Sequence, residues 1–306
     1  MGPIRFDIFM WQVVPWGVLR EDALYLESLG FGTLWIGDAF LLPDGYGKDV
    51  SEAWTTLAAL AACTHRIGLG TAITNVGLRH PAMLAKQAAT VDQISGGRLS
   101  LGLGAGIDSA ADRTALDLAD LSRIERVNRL AETVEIVDGL LRGRHLKFQG
   151  KFFQLDARVE PLPVQQPRPP LAIGGTGYRS LEVVAGKADI WVSDAPWRTL
   201  SDALARTREC NRFIDERCSA VGREPAAVER ACVFGWSPSG APFESRDAFE
   251  EFVGSFHDAG ITRFIFSFGG ESTPEPYKGW VDAGQWATCQ TLEHFAADCM
   301  KGLATR

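Results

Sequence analysis

The chain has 306 residues, 46% of them hydrophobic and 23% charged, the profile of an ordinary globular protein with room for a large core. Its net charge is −7, with acidic and basic residues interleaved and no basic stripe, which argues against a nucleic-acid binder. Six cysteines and five histidines show neither CxxC nor metal-ligand spacing, so a disulfide framework and a metal site are not expected. The amino-terminal MGPIRFDIFMW lacks a basic region followed by a long apolar one, and no run is long enough to cross a bilayer. A cytoplasmic protein is expected.

Strand-like and helix-like segments alternate along the chain. Ile4–Met10 is a short apolar run of strand length. Leu19, Ala23, Leu26 and Leu29 follow at helical spacing, and Gly30 sits where a helix C-cap belongs. Thr33–Gly37 is the second strand, ending at Asp38. Trp54–Cys63 reads as a helix and Ile67–Ile73 as the third strand. Pro81 suits the first turn of a helix over Ala82–Ile94, and Arg98–Leu103 is the fourth strand.

One long helix is expected from Leu118 to Leu141, with apolar residues recurring at spacings of three and four. His145–Leu155 alternates around Gln149-Gly150 and predicts a β-hairpin. Pro161–Pro170 is a rigid connector. Leu171–Ile173, Asp189–Val192, Ala231–Trp236 and Arg263–Phe268 complete eight strands. Strands buried on both faces become continuous apolar runs, and eight alternating with helices predict a (β/α)8 TIM barrel of the α/β class. A doubly wound open sheet is the competing topology. The whole chain, 1–306, reads as one domain, with the hairpin and Pro-rich segment (about 143–170) inserted between the fourth helix and fifth strand.

Barrel enzymes bind ligands at the C-terminal ends of their strands, which turns the strand list into a list of site candidates. Gln12 and Asp38 follow the first two strands as polar groups for proton transfer or hydrogen bonding, and Asp38 could equally cap the next segment. Thr71, Ala72, Ile73 and Asn75 end the third strand, and His80 beyond it is either an acid–base or a locally packed loop histidine. Gly104, Ala105 and Gly106 end the fourth strand without bulk, leaving either a shelf for a flat ring or room for close strand packing. Gly174, Gly175, Thr176 and Gly177 lie between a strand and a helix, as a phosphate-binding loop or a tight turn. Arg98 starts a strand on the opposite, stability-bearing face and reads as structural; His65, on that face too, and the solvated His145 and His257 are not candidates. Trp11, Trp16, Phe40, Trp191, Trp197, Trp236 and Phe268 are aromatics that could line a pocket.

The stretch from Arg79-His80-Pro81 through Val91-Asp92-Gln93-Ile94-Ser95-Gly96-Gly97-Arg98-Leu99, completed by Leu101-Gly102-Leu103-Gly104-Ala105-Gly106, resembles the hallmark segment of the bacterial luciferase-like monooxygenases. Pro161-Leu162-Pro163-Val164-Gln165, Gly174–Gly177 and Ala188-Asp189-Ile190-Trp191 extend the likeness. The wording ATVDQISGGRLSLGLGAG is most similar to the branch that uses the deazaflavin coenzyme F420. The resemblance implies a barrel with an insertion, a cofactor at the strand C-termini, a non-prolyl cis peptide mapping to Ala72-Ile73 behind the cofactor ring, and a phosphate held at Gly174–Gly177. Two positions depart from that branch: Ala39 stands where most F420-using relatives have His after the Asp, and Val192 where Asn is common.

The expected activity is hydride transfer between F420 and a small organic substrate. An FMN enzyme using reduced flavin and oxygen is the alternative, and it needs a separate reductase because the chain has no nicotinamide-binding fingerprint. A non-catalytic binding protein that kept the barrel is a third reading. A homodimer is the commonest assembly for such a chain.

Overall fold

The computed structural model describes residues 2–42, 49–106, 109–194, 199–235, 242–270, 272–274, 278 and 286–293. Eight parallel strands close into a barrel: β1 (Arg5–Met10), β2 (Thr33–Ile36), β3 (Gly68–Thr71), β5 (Leu99–Gly104), β8 (Leu171–Gly174), β9 (Ile190–Ser193), β10 (Glu229–Phe234) and β11 (Arg263–Ser267). Closure comes from β3 pairing with β5, Leu69 opposite Leu99 and Gly70 opposite Ser100. A two-residue strand, β4 (Thr74–Asn75), pairs with the end of β5. The eight apolar runs are therefore the eight barrel strands, each buried on both faces by the helices outside and the interior side chains within.

The helices are α1 (Trp16–Leu29), α2 (Ala53–Cys63), α3 (Pro81–Ser95), α4 (Ala110–Leu116), α5 (Arg123–Leu141), α6 (Tyr178–Lys187), α7 (Leu200–Ala220) and α8 (Arg246–Asp258). Gly30 ends α1 at φ 85° and Gly96 ends α3 at φ 68°, the left-handed conformation that glycine adopts freely. The long helix expected from Leu118 begins only at Arg123. Ser122 caps it in a reciprocal box with Glu125, and a separate short helix, α4, precedes it. Between α5 and β8 lies the insertion, an antiparallel hairpin of β6 (Leu146–Gln149) and β7 (Gln154–Ala157) followed by the Pro-rich connector.

Phe9, Trp35, Ala172, Ala231 and Ile265 fill the middle of the barrel. Gly70 makes room for Trp35, since a Cβ there would lie 2.6 Å from the indole ring. Below this layer the barrel is plugged by charge. Arg263 donates to Asp7 at 2.9 Å and to Glu229 at 3.0 Å, and Trp35 Nε1 donates to Asp7 at 2.8 Å. Opposite charges and a ring N–H satisfy one another, with Asp7 and Arg263 buried and Glu229 at the rim.

The same end of the barrel carries much of the signature segment. The Arg98 side chain makes five hydrogen bonds, to Ser95 O, Thr64 Oγ1, Ile67 O, Ala61 O and Thr64 O. Gln165 donates to Asp92 from its backbone at 2.9 Å and from its side chain at 2.7 Å, and to Leu99 O at 2.7 Å. Arg98, Asp92 and Gln165 thus lock helix to strand and connector to helix, which agrees with the structural reading of Arg98. The hallmark segment marks a scaffold more than a substrate.

Candidate active site

At the opposite end, the loops after β1, β2, β3, β5 and β8 converge on the barrel mouth. Asp38 ends β2 with its carboxylate turned inward, 1% exposed. Asn75 N–H donates to its Oδ2 at 3.0 Å, and Arg79 grips both oxygens, Nη2 lying 3.0 Å from Oδ1. Arg79 also donates to Glu52 at 3.2 Å, and Glu52 in turn caps α2 by accepting from Trp54 and Thr55 N–H. Both carboxylate oxygens of Asp38 are therefore engaged. Its physical role is to tie the end of β2 to the turn after β4.

The peptide between Ala72 and Ile73 is cis, at the position the resemblance indicated. Thr71 Oγ1 donates to Gly102 O at 3.0 Å and accepts from Thr74 Oγ1 at 2.9 Å, so both ends of this bulge are fastened to β5 and to each other. The Ile73 side chain then lies across the mouth. A Cβ on Gly104 would fall 2.0 Å from Ile73 Cδ1, and one on Gly174 would fall 2.2 Å from the same atom. Gly102 is tighter still, 1.7 Å from Thr71 O. The glycines of β5 thus serve close packing, and the surface presented at the mouth is Ile73 lying over them. Gly106, at φ 83°, lets the chain turn against Asn75, whose Oδ1 would lie 2.1 Å from a Cβ there.

Gly174–Gly177 forms the turn from β8 into α6. Gly175, at φ 135°, donates its N–H to Val192 O at 3.2 Å and accepts from Trp191 Nε1 at 2.8 Å. Thr176 O accepts from Arg206 at 2.6 Å. Gly177 is the N-cap of α6, and no side chain caps that helix. The first N–H groups of α6 are left for solvent or an anion, with the helix dipole aligned to favour negative charge. A turn wrapped this closely also explains the glycines structurally, so it satisfies both readings of the motif.

Gln12 is buried, 1% exposed, at the end of β1. Its Nε2 donates to Gly37 O at 2.6 Å, while its Oε1 is buried with no hydrogen-bond partner. Trp11 beside it lies over Gly37, where a Cβ would meet the ring at 2.2 Å. Trp11 also packs with Val13, Ala39, Leu42, Val50 and Trp286 in an apolar wall on this side of the mouth. Trp286 Nε1 is fixed by Gly235 O at 2.8 Å.

His80 is the N-cap of α3, its Nδ1 accepting from Ala82 N–H at 3.2 Å, and its ring stands edge-on to Phe153 of the hairpin, centroids 5.6 Å apart. That is the local-packing alternative for this residue. Among the aromatics, Trp191 and Phe268 are core residues, and Trp16 and Phe40 are exposed. Trp197 and Trp236 lie outside the described residues. His257 is half-buried with its Nε2 lacking a partner, where the sequence suggested a solvated residue. Sequence reasoning missed Arg79, Ala105's neighbour Arg129 and Trp286. Arg79 was visible only as part of a motif, and the other two sit far along the chain from the strands they meet.

The residues present fit a flat, phosphate-bearing cofactor: Ile73, packed over Gly104 and Gly174, gives an apolar support, and the uncapped start of α6, reached from the same strand β8, gives an anion seat. A family model described as luciferase-like monooxygenase matches residues 9–271. The chain belongs to the luciferase-like monooxygenase family. It is accordingly an oxidoreductase. Solved structures with the same fold include the coenzyme F420 dependent tetrahydromethanopterin reductase of Methanopyrus kandleri, 17% identical, TM-score 0.74, covering 99% of this chain and 100% of that one. An F420-dependent secondary alcohol dehydrogenase in complex with an F420-acetone adduct is 17% identical, TM-score 0.76, with 100% of each chain covered. A long-chain alkane monooxygenase is 15% identical, TM-score 0.71, covering 100% of this chain and 92% of that one. No helix among the described residues is long and apolar enough to cross a membrane, and no cluster of His, Cys, Asp and Glu among them could hold a metal.

Proposed function

We propose that this luciferase-like protein binds coenzyme F420 and transfers a hydride between it and a small organic substrate. The observation that carries the reading is the Ile73 seat across Gly104 and Gly174, beside the uncapped α6. When bound, F420 supplies or accepts the hydride, chemistry that no side chain provides. The residues of the chain do the rest. Ile73 supports the ring from behind, and Ala72, Asn75 and Ala105 border it. Gly174, Gly175, Thr176 and Gly177 with the α6 N–H groups hold the phosphate. The wall of Trp11, Val13, Ala39, Leu42, Val50 and Trp286 excludes water from the exposed ring face. Gln12 Nε2 holds Gly37 O beneath the mouth and so fixes the end of β1 against the end of β2. Asp38 acts by positioning Asn75, from whose N–H it accepts directly, and by holding Arg79.

The choice of F420 over FMN rests on the ATVDQISGGRLSLGLGAG wording, with the F420 enzymes among the similar folds in support. The apolar wall favours a second reading, an FMN-dependent monooxygenase, since such chemistry needs a dry pocket. Either enzyme works on a small-molecule substrate in the cytoplasm as a homodimer, and a separate reductase regenerates its reduced cofactor. Titrating the protein with F420 and with FMN, followed by tryptophan quenching and oxygen uptake, tests both readings. Saturable F420 binding without oxygen uptake supports hydride transfer. Tight FMN binding alone, with oxygen consumption, overturns it.

A further inference from the structure

Beside the mouth, between the Asn75–Gly77 turn and the start of α5, lies a small cavity lined by Asn75, Gly77, Ala105 and three guanidiniums, Arg113, Arg126 and Arg129. Two of these cations are engaged: Arg126 donates to Leu121 O at 2.9 Å, and Arg113 faces Asp120 at 3.6 Å. Arg129 is not. Its Nε is buried without a hydrogen-bond partner, and no carboxylate among the described residues pairs with it. Asp112, the acid on the same wall, is buried and accepts from Leu41 N–H at 3.2 Å instead, and burial raises its carboxyl toward the neutral form. Burial and the charge of Arg126 both work against the charged form of Arg129. A half-buried guanidinium beside a second cation, with no counter-ion among the described residues, is a costly arrangement unless an anion completes it. Arg129 Nη2 reaches the Gly77 backbone, where a Cβ would lie 2.6 Å away, so the group is aimed at the mouth-forming turn and not at solvent.

We propose that this cavity is an oxyanion subsite, taking a phosphate or carboxylate group with Arg129 as its direct cation. Its lining includes neither Gly174–Gly177 nor any residue of α6. The site therefore accepts either a second anionic group of the bound cofactor or an acidic substrate or effector. The assignment does not depend on which flavin the protein uses.

Inorganic phosphate is the probe. Its stabilisation of the full chain against heat gives an apparent affinity for wild type, Arg129→Gln, Arg129→Lys and, as a control, Arg123→Gln, since Arg123 Nη2 would lie 3.3 Å from a Cβ on Gly177 at the α6 seat. Arg129→Gln is expected to weaken that affinity about tenfold or more, and Arg129→Lys to retain most of it. Arg123→Gln leaves the Arg129-dependent part in place. Without phosphate, Arg129→Gln is expected to melt no lower than wild type, because an uncompensated cation has been removed. A purely structural arginine would instead melt lower. Parallel titrations with F420 and FMN identify the source of the oxyanion. A cofactor affinity that drops with Arg129→Gln assigns it to the cofactor, and an unchanged one assigns it to a separate ligand. An undiminished phosphate response in Arg129→Gln overturns the proposal, whatever the cofactor titrations show.

Discussion

Arg79 meets Asp38 at both carboxylate oxygens, and the carboxylate they share with Asn75 N–H is 1% exposed. The residue at the end of β2 is thereby converted from a free acid into a tether. Where the F420-using branch that the sequence resembles commonly has His after this Asp, the chain carries Ala39, which packs into the apolar wall with Leu42 and Trp286. The second-strand corner of this mouth is built for shape and dryness.

Removing one partner of a buried pair leaves the other uncompensated. Asp38→Asn is expected to cost about 3 kcal/mol of stability. Arg79→Met should cost a comparable amount, and the double variant less than the sum. Urea denaturation of the three variants measures this. Additive losses would show that the two side chains act independently.

Gly174→Ala places a methyl group 2.2 Å from Ile73 Cδ1. The overpacking is expected to cost about 1–3 kcal/mol and, by tilting the seat, to weaken cofactor binding about tenfold. Combining it with Ile73→Val, which shortens the offending side chain, should restore part of both. Tryptophan quenching with the cofactor reads the outcome, and an unimpaired Gly174→Ala would show that Ile73 does not support the ring.

His80→Ala removes an N-cap and should cost about 1 kcal/mol, while His80→Asn retains most of it. Turnover and its pH profile are expected to persist in both variants. A loss of one acid–base limb in the pH–rate profile would return His80 to the chemistry.

Glu27 provides a pH test of the scaffold. Its Oε1 accepts from His65, Arg66 and Ile67 N–H at 2.8, 2.7 and 3.0 Å. Burial acts to raise its pKa, yet these three donors together hold it below the ordinary value of 4.5. The unfolded chain therefore takes up this proton first as pH falls. The stabilisation is complete above the unfolded value and is lost as pH drops through the folded one. Glu27→Gln should be less stable than wild type by about 1.5–3 kcal/mol at pH 7, with the gap closing in acid. A gap independent of pH would mean the carboxylate charge contributes nothing.

The barrel was legible because its strands are buried twice over. Leu171–Gly174 and Arg263–Ser267 stand out as short apolar runs between helices, and the Gln149-Gly150 turn announces the hairpin. The start of α5 was misplaced because Leu118 and Leu121 continue the helical spacing by coincidence. The Ser122/Glu125 box, present in the sequence, was the better signal. Pairings such as Asp38 with Arg79 bridge 41 positions, and no local pattern encodes them. Arg129 lies in the polar stretch of an amphipathic helix and looks like any solvated residue until the Asn75–Gly77 turn folds onto it.

The charged plug of Asp7, Arg263 and Glu229 closes the far end of the barrel. Among the described residues the barrel is a vessel with one door, at the C-terminal ends of its strands. Whatever settles deepest must arrive first and leave last, so the two reactants queue. Steady-state kinetics should then follow an ordered sequence, with the cofactor proposed to sit on Ile73 as the leading reactant.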